Sequence, residues 1–347
     1  MRHAFVVALL LLCFSGCSTI RYYHQSISGH FKLISKRERI ADIVNDPTRD
    51  EKLIKQLRLV EELRSFASNR LKLPENDSYH SYVQLNKPYV AWNVFAAPKF
   101  SITLQQWCFL VIGCVPYRGY FDEAEANRYA MQLSKQGLDV YVAGVPAYST
   151  LGWFDDPLLS SMLDRGEIVV AAYIFHELAH QQYYLKGDGA FNEAFATTVE
   201  EIGVLEWLQQ QNRSHDVNAY GDWLLQKSLF SEYIKSSRDE FEALYQQQYD
   251  MEKMQVEKEI LIAEMRRKFA NLISDNKHIA RYSKWMSGSL NNAQLGAISL
   301  YRELVPAFRR IFTLCENDFE KFYDYVEKVA ELSGEQHEAL YTTEVCQ

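Results

Sequence analysis

Ile168-Val169-Val170-Ala171-Ala172-Tyr173-Ile174-Phe175-His176-Glu177-Leu178-Ala179-His180, followed after a short break by Asn192-Glu193-Ala194-Phe195-Ala196, is the stretch on which the reading of this chain turns. The run from Ile168 to Phe175 is apolar and free of Gly and Pro, which predicts a buried helix of about five turns carrying on through His180. On such a helix His176 and His180 stand one above the other on one face, so two imidazoles can reach a single point. Glu177, one position round, stands beside that point. The H-E-x-x-H spacing is that of a metal site with a general base next to it. Zn²⁺ takes two neutral imidazoles and a third protein ligand, keeping a fourth position for a water whose pKa falls to about 7.

The third ligand follows from the break. Lys186-Gly187-Asp188-Gly189 interrupts the helix and lets a second one start near Phe191 and fold back. Glu193, in its first turn, is placed to complete the set. A third His in the style of the metzincins would need Gly at position 183 and His at position 186, where the chain has Tyr183 and Lys186. Glu200 and Glu201 are rivals for the third position but require the two helices to approach more closely at their far ends. Thr197, one turn after Glu193, is placed to hydrogen-bond a ligand from behind.

Several further segments are long and unusual in composition: Trp92-Asn93-Val94-Phe95-Ala96-Ala97-Pro98, Trp107-Cys108 with Gly113-Cys114-Val115, Tyr117-Arg118-Gly119-Tyr120-Phe121, Ala147-Tyr148-Ser149-Thr150-Leu151-Gly152-Trp153-Phe154-Asp155-Asp156-Pro157, and Asn291-Asn292-Ala293. Together with the two helix motifs, they resemble the predicted aminopeptidases of Gram-negative cell envelopes, a family of gluzincin-like lipoproteins, over most of the chain. The resemblance implies one Zn²⁺ per chain, a peptide substrate and an exopeptidase activity. An aminopeptidase must hold a free α-amino group, and this chain has no G-x-M-E-N stretch of the kind one large aminopeptidase family uses for it. Asp155 or Asp156, in the loop from Pro146 to Pro157, is the expected anchor, although Asp before Pro or before a helix is also an ordinary turn or cap residue. Tyr148 belongs to the same loop, which reads as a cleft wall.

Residues 1–16 hold a basic start, an apolar run from Ala4 to Phe14 and small residues before Cys17. That run is too short to span a bilayer and predicts a cleaved signal. Its end resembles the lipobox of bacterial lipoproteins, with Phe14 where Leu is usual, which implies lipid attachment at Cys17. Ser18 resembles the pattern sorted to the outer membrane. The expected location is therefore the periplasmic side of the envelope, with a membrane reached through the lipid. Lys and Arg number 37 against 45 Asp and Glu, and loss of Arg2 with the leader takes the net charge from −8 to −9. An acidic chain without a basic cluster is a poor partner for nucleic acid.

The aromatic content of 14 per cent supports a packed core. No C-x-x-C pair exists, and in an oxidising compartment Cys108 with Cys114, and Cys315 with Cys346, are candidate bridges. All eight prolines lie at positions 47, 74, 88, 98, 116, 146, 157 and 306, so Leu158 to Val305 contains none. A mixed part, 18–157, thus precedes a helical part, 158–347, within one domain, 17–347. Asp50 to Leu73 reads as a helix, as does Glu123 to Gln136 with Gly137 as its C-cap. Tyr89 to Ala96, Trp107 to Val115 and Leu138 to Val145 read as strands. Trp92 to Ala97, ending at Pro98, is a candidate sheet edge for substrate strand addition, and equally a core strand. Tyr220 to Leu272 predicts a long helical hairpin with Leu261, Met265, Phe269 and Leu272 on one face, either a lid over the cleft or a packed support. A loop at Ser287-Gly288-Ser289 leads to a helix from Ala293 to Leu314, and Glu316 to Leu332 gives the last one. On the former, Tyr301 shares an inward face with Ile298, Val305 and Phe308. It is the first choice for a second oxyanion donor, and Tyr148 the next.

The expected fold is α+β and predominantly helical: a zincin-like metallopeptidase domain with a small sheet and a long helical hairpin. Its reaction is hydrolysis of a peptide bond with Glu177 as base. Two other functions fit the same residues, an envelope endopeptidase and a non-hydrolytic zinc-containing scaffold, and an intact Glu177 argues against the scaffold.

Overall fold

The computed structural model describes residues 21–347 apart from 110–112, 148–149, 151–153, 276, 300–303, 333, 335, 343, 345 and 347. The leader 1–16, Cys17, Tyr148 and Tyr301 lie outside the described residues.

Residues 21–34 form helix α1. Strand β1 (Glu38–Arg39) and α2 (Ile40–Val44) lead to α3 (Glu51–Asn69), where the Asp50 carboxylate accepts a hydrogen bond from the Lys52 amide. Lys72, with φ at 57°, turns the chain out of α3 ahead of Pro74. Then come β2 (Ser81–Val83), β3 (Ala91–Pro98), β4 (Trp107–Phe109), β5 (Gly113–Val115), β6 (Arg118–Tyr120), α4 (Glu123–Lys135) and β7 (Leu138–Val145). Gly137, with φ at 83°, makes the left-handed exit from α4 that its position after the helical run predicts.

The main sheet has the order β6-β3-β7, antiparallel throughout. β3 is therefore its central strand and not an edge. Burial on both faces is the reason: Trp92, Val94 and Ala96 pack with Ala126 and Leu133 of α4, whereas Phe95 and Ala97 pack on the opposite side. Pro98 is tolerated because it is the last strand residue, opposite Leu138. Trp107 to Val115, expected as one strand, is a β4–β5 hairpin. Cys108 stands directly opposite Cys114 and is bridged to it. The second expected bridge, Cys315–Cys346, is also present.

β8 (Leu158–Leu159) runs parallel to β2, which is paired on its other side with β1. α5 (Ser160–Leu163) then delivers the chain to α6 (Glu167–Gln182) and α7 (Gly189–Gln210), the helix pair that the motif predicts. α8 (Ser214–Tyr245) and α9 (Met251–Asp275) are the long hairpin. Its apolar face, with Phe230, Phe241, Met265 and Phe269 buried, packs with Ile102 and Leu295. α10 (Ser283–Ser287) precedes α11 (Asn292–Ser299) and α12 (Val305–Leu314). Where one helix was expected there are two, with Leu304 in a turn and Pro306 in the first turn of α12. α13 (Phe319–Ala330) starts later than expected because Glu316 and Asn317 both adopt left-handed backbone. α14 (Gln336–Thr342) closes the chain. Among the described residues no helix is long and apolar enough to cross a membrane.

The Asn291-Asn292 pair has a structural job. Asn291 Nδ2 donates to Val140 O at 2.9 Å, and Asn292 Nδ2 donates to Pro98 O at 3.0 Å, which ties α11 to the end of the sheet. Lys258 of the hairpin reaches the same end, 2.5 Å from the Asp139 carboxylate. The hairpin is thus a support for the sheet and for α11. The core that fixes the site lies elsewhere, where α6 and α7 bury Phe175, Leu178, Phe191 and Phe195 against Phe66, Phe308 and Phe322. Each such fully buried Phe contributes about 1.5–3 kcal/mol.

Candidate metal and active site

Gly166, the residue before α6, sets the helix entry with a φ of 91°, and the apolar turns of α6 are buried at Val170, Ala171, Ile174 and Phe175. The loop to α7 is closed by one side chain. Asn192 is fully buried, accepts from Leu185 N and donates to Leu185 O, both at 2.7 Å, while the Asp188 carboxylate caps α7 by accepting from Phe191 N at 3.0 Å. α7 starts at Gly189, slightly earlier than expected, so Glu193 stands one turn in and faces α6.

His176, His180 and Glu193 converge with ligand atoms all within 4.8 Å of one another. The two Nε2 atoms are 3.2 Å apart, and the Glu193 oxygens lie 3.4 Å from His176 Nε2 and 3.7 Å from His180 Nε2. Behind them the Nδ1 of His176 meets Glu200 Oε2 at 3.0 Å. Glu200 is therefore neither a rival ligand nor idle: it supports His176 from behind, the place expected of Thr197. Glu201 points away, fully buried, with Arg309 at 2.6 Å and Lys227 at 3.4 Å. The electrostatics suit a cation. Burial pushes the His180 pKa down to about 4. His176 is pushed down by burial too, but its hydrogen bonds with Glu193 and Glu200 win and hold it well above the usual range. Two imidazoles and a carboxylate form a donor set that suits Zn²⁺, so the residues present fit the metal.

Glu177 opens with His176, His180 and Glu193 onto one cavity of about 740 Å³. Four tyrosines given no role from the sequence line it, Tyr22, Tyr117, Tyr120 and Tyr184, and of these Tyr117 and Tyr184 feel the Glu193 carboxylate. Burial raises both phenol pKa values and the Glu193 carboxylate raises them further, so both stay neutral O–H donors. Tyr117 lies in the Tyr117-Arg118-Gly119-Tyr120-Phe121 segment, which carried a sequence signal but no assigned role. The described residues that line the cavity include none from α8 or α9, so the hairpin is not part of its wall.

Neither aspartate reaches the cavity wall. Asp156 is buried and holds its own loop: it accepts from Thr150 N at 2.9 Å and Thr150 Oγ1 at 2.8 Å, and Gln181 Nε2 donates to it at 3.4 Å. Asp155 is exposed, and its carbonyl accepts from Arg37 at 3.1 Å. β3 lines the cavity with Ala91 and Asn93 from the centre of the sheet, the edge strands β6 and β7 line it with Gly119, Tyr120 and Val145, and on β6 Gln25 of α1 occupies outward backbone groups. Its Nε2 donates to Gly119 O and its Oε1 accepts from Phe121 N, both at 3.2 Å.

Among known proteins, the family model described as "Putative aminopeptidase" matches residues 21–340. No curated protein and no solved structure matches the chain.

Proposed function

The chain belongs to that aminopeptidase family, and from this premise we propose that it is a zinc-dependent aminopeptidase of zincin-like fold. The observation that carries the reading is the convergence of His176, His180 and Glu193 beside Glu177 on one cavity. His176, His180 and Glu193 are the residues that would hold a zinc ion, which when bound would supply Lewis-acid polarisation of the scissile carbonyl and acidify a water near neutral pH. With a metal in place of the second proton that Glu193 and Glu200 favour on His176, Glu200 would accept the Nδ1–H and leave the Nε2 lone pair on the side of His180 and Glu193. Glu177 takes a proton from water as the oxygen bonds to the carbonyl carbon, and hands it to the departing amine as the C–N bond breaks. A phenol donates to the developing oxyanion. Tyr301 is the first choice and Tyr148 the next, and Tyr117 and Tyr184 join them as candidates from the cavity wall.

The signal-like leader and Cys17 support a lipid-anchored protein on the periplasmic side of a Gram-negative outer membrane. A second reading, an endopeptidase with the same chemistry, is favoured by one observation: the carboxylates among the described lining residues are those of Glu177 and Glu193. Neither is spare for an α-ammonium. Peptides with free and acetylated N-termini separate the two, since an aminopeptidase cleaves only the free form.

The test is zinc content together with hydrolysis of a mixed peptide library by the mature chain. The parent should hold one zinc and cleave, and His180→Ala should lose the metal. Glu177→Gln should keep zinc and lose turnover by about 10²–10⁴-fold or more. Parent-like rates in that variant would remove the mechanism.

A further inference from the structure

Away from the metal cluster the cavity wall is mostly apolar, its polar side chains including Ser26, His30, Asn93 and Thr150. Ile27 and Phe31 come from α1, Phe109 and Val115 from the β4–β5 hairpin, and Phe121 and Phe154 complete the mouth. Among the described lining residues there is no Lys or Arg, and the two acids, Glu177 and Glu193, are both at the metal end. A charged side chain entering this space away from the metal cluster would give up water without gaining an ion pair from a Lys, Arg, Asp or Glu, whereas an apolar one gains by leaving water. Three of the wall residues are themselves still in need of cover: Ile27 is 55% exposed, Phe31 61% and Phe154 54%. Large apolar side chains left open at the rim of a catalytic cavity mark a surface that a ligand covers.

α1 is firmly seated, so it is a wall and not a loose flap. At Gly29 an added Cβ would lie 2.3 Å from the Phe121 ring, so the helix backbone rests directly on that side chain. One turn earlier, Gln25 holds β6 by its two hydrogen bonds, and the Arg118 guanidinium lies over the Tyr22 ring at 4.0 Å. The positions of Ile27 and Phe31 relative to the metal cluster are therefore set by packing and hydrogen bonding, which a specificity wall requires.

We propose that the substrate carries a large apolar or aromatic side chain that lies in the outer part of this cavity when the scissile bond is at the metal cluster, and that Ile27 and Phe31 of α1 select it. The inference rests on the peptidase reading for its reaction, though not for the binding preference. It is tested with peptides identical except for that residue, which is Phe, Leu, Ala, Lys or Glu. Calorimetry on zinc-loaded Glu177→Gln reads binding without turnover, and kcat/KM is read on the parent. The Phe and Leu peptides should bind at least tenfold tighter than the Ala, Lys and Glu peptides, with kcat/KM in the same order. Phe31→Lys and Ile27→Lys, at exposed positions where zinc content checks folding, should shift the Glu-to-Phe ratio of affinities at least tenfold toward Glu. A flat profile, or variants that weaken all five peptides equally, overturns the inference. Preferential binding of the Phe and Leu peptides by a parent that cleaves none of the five would instead sink the peptidase reading and leave this one standing.

Discussion

The Nδ1 of His176 lies 3.0 Å from Glu200 Oε2, and Glu200 in turn lies 3.9 Å from Lys227 of α8. One imidazole of the candidate metal site is thus oriented by a carboxylate two turns along α7 from Glu193. Glu200→Ala should fold normally and bind zinc about 10–100-fold more weakly, measured by competition with a chromogenic chelator. Unchanged affinity would reduce the pair to packing.

Four hydroxyls compete for the oxyanion. Single Tyr→Phe changes at 117, 148, 184 and 301 remove only the O–H in each case. One of them should lower turnover by about 10²–10³ with zinc content and substrate binding nearly unchanged. If all four stay within a factor of about three, less than 1 kcal/mol, none of these four phenols has the role.

Asn192 closes the loop ahead of Glu193 by two hydrogen bonds to the backbone of Leu185. Asn192→Ala leaves the N–H and C=O of half-buried Leu185 without their partner, at up to about 1–3 kcal/mol each, so urea unfolding should show a loss of up to about 2–6 kcal/mol. Zinc affinity should fall with it, because Glu193 is the next residue. A destabilised variant with parent-like zinc affinity would show that the loop does not position the ligand.

Location is tested at Cys17. Cys17→Ser should leave the protein soluble after cell lysis, whereas the parent should partition with membranes. A parent found in the soluble fraction would refute the lipid anchor.

The helix pair was legible because its signals are local. The (i, i+4) histidines, the apolar run and the Gly-containing break are all set by helical periodicity and backbone sterics, and Glu193 follows from the break. Strands β3 and β7 and the C-cap at Gly137 were legible for the same reason. What escaped depends on pairing between distant segments. β2 meets β8 with 75 residues between Val83 and Leu159 in register, and nothing in either short strand names its partner. The apolar run of β3 fitted an edge or a centre equally, and only the arrival of β6 and β7 decided it. Glu200 sits at a spacing that allowed a ligand, and only the rotation of α7 against α6 turned it to the back of His176. Asp156 looked available because its loop partners, Thr150, Ser78 and Gln181, are brought together by the fold.

The carboxamide of Gln25 is chemically a peptide group carried on a side chain. Placed against Gly119 and Phe121, it donates one hydrogen bond to β6 and accepts another, as an adjoining strand would. An open strand edge is a template on which a second molecule can add and propagate. Here α1 occupies that template at the point where β6 meets the cavity, so one polar side chain blocks strand addition at Gly119 and Phe121. A chain clipped between Gln25 and Ser26 would expose the edge and gain a route to self-association.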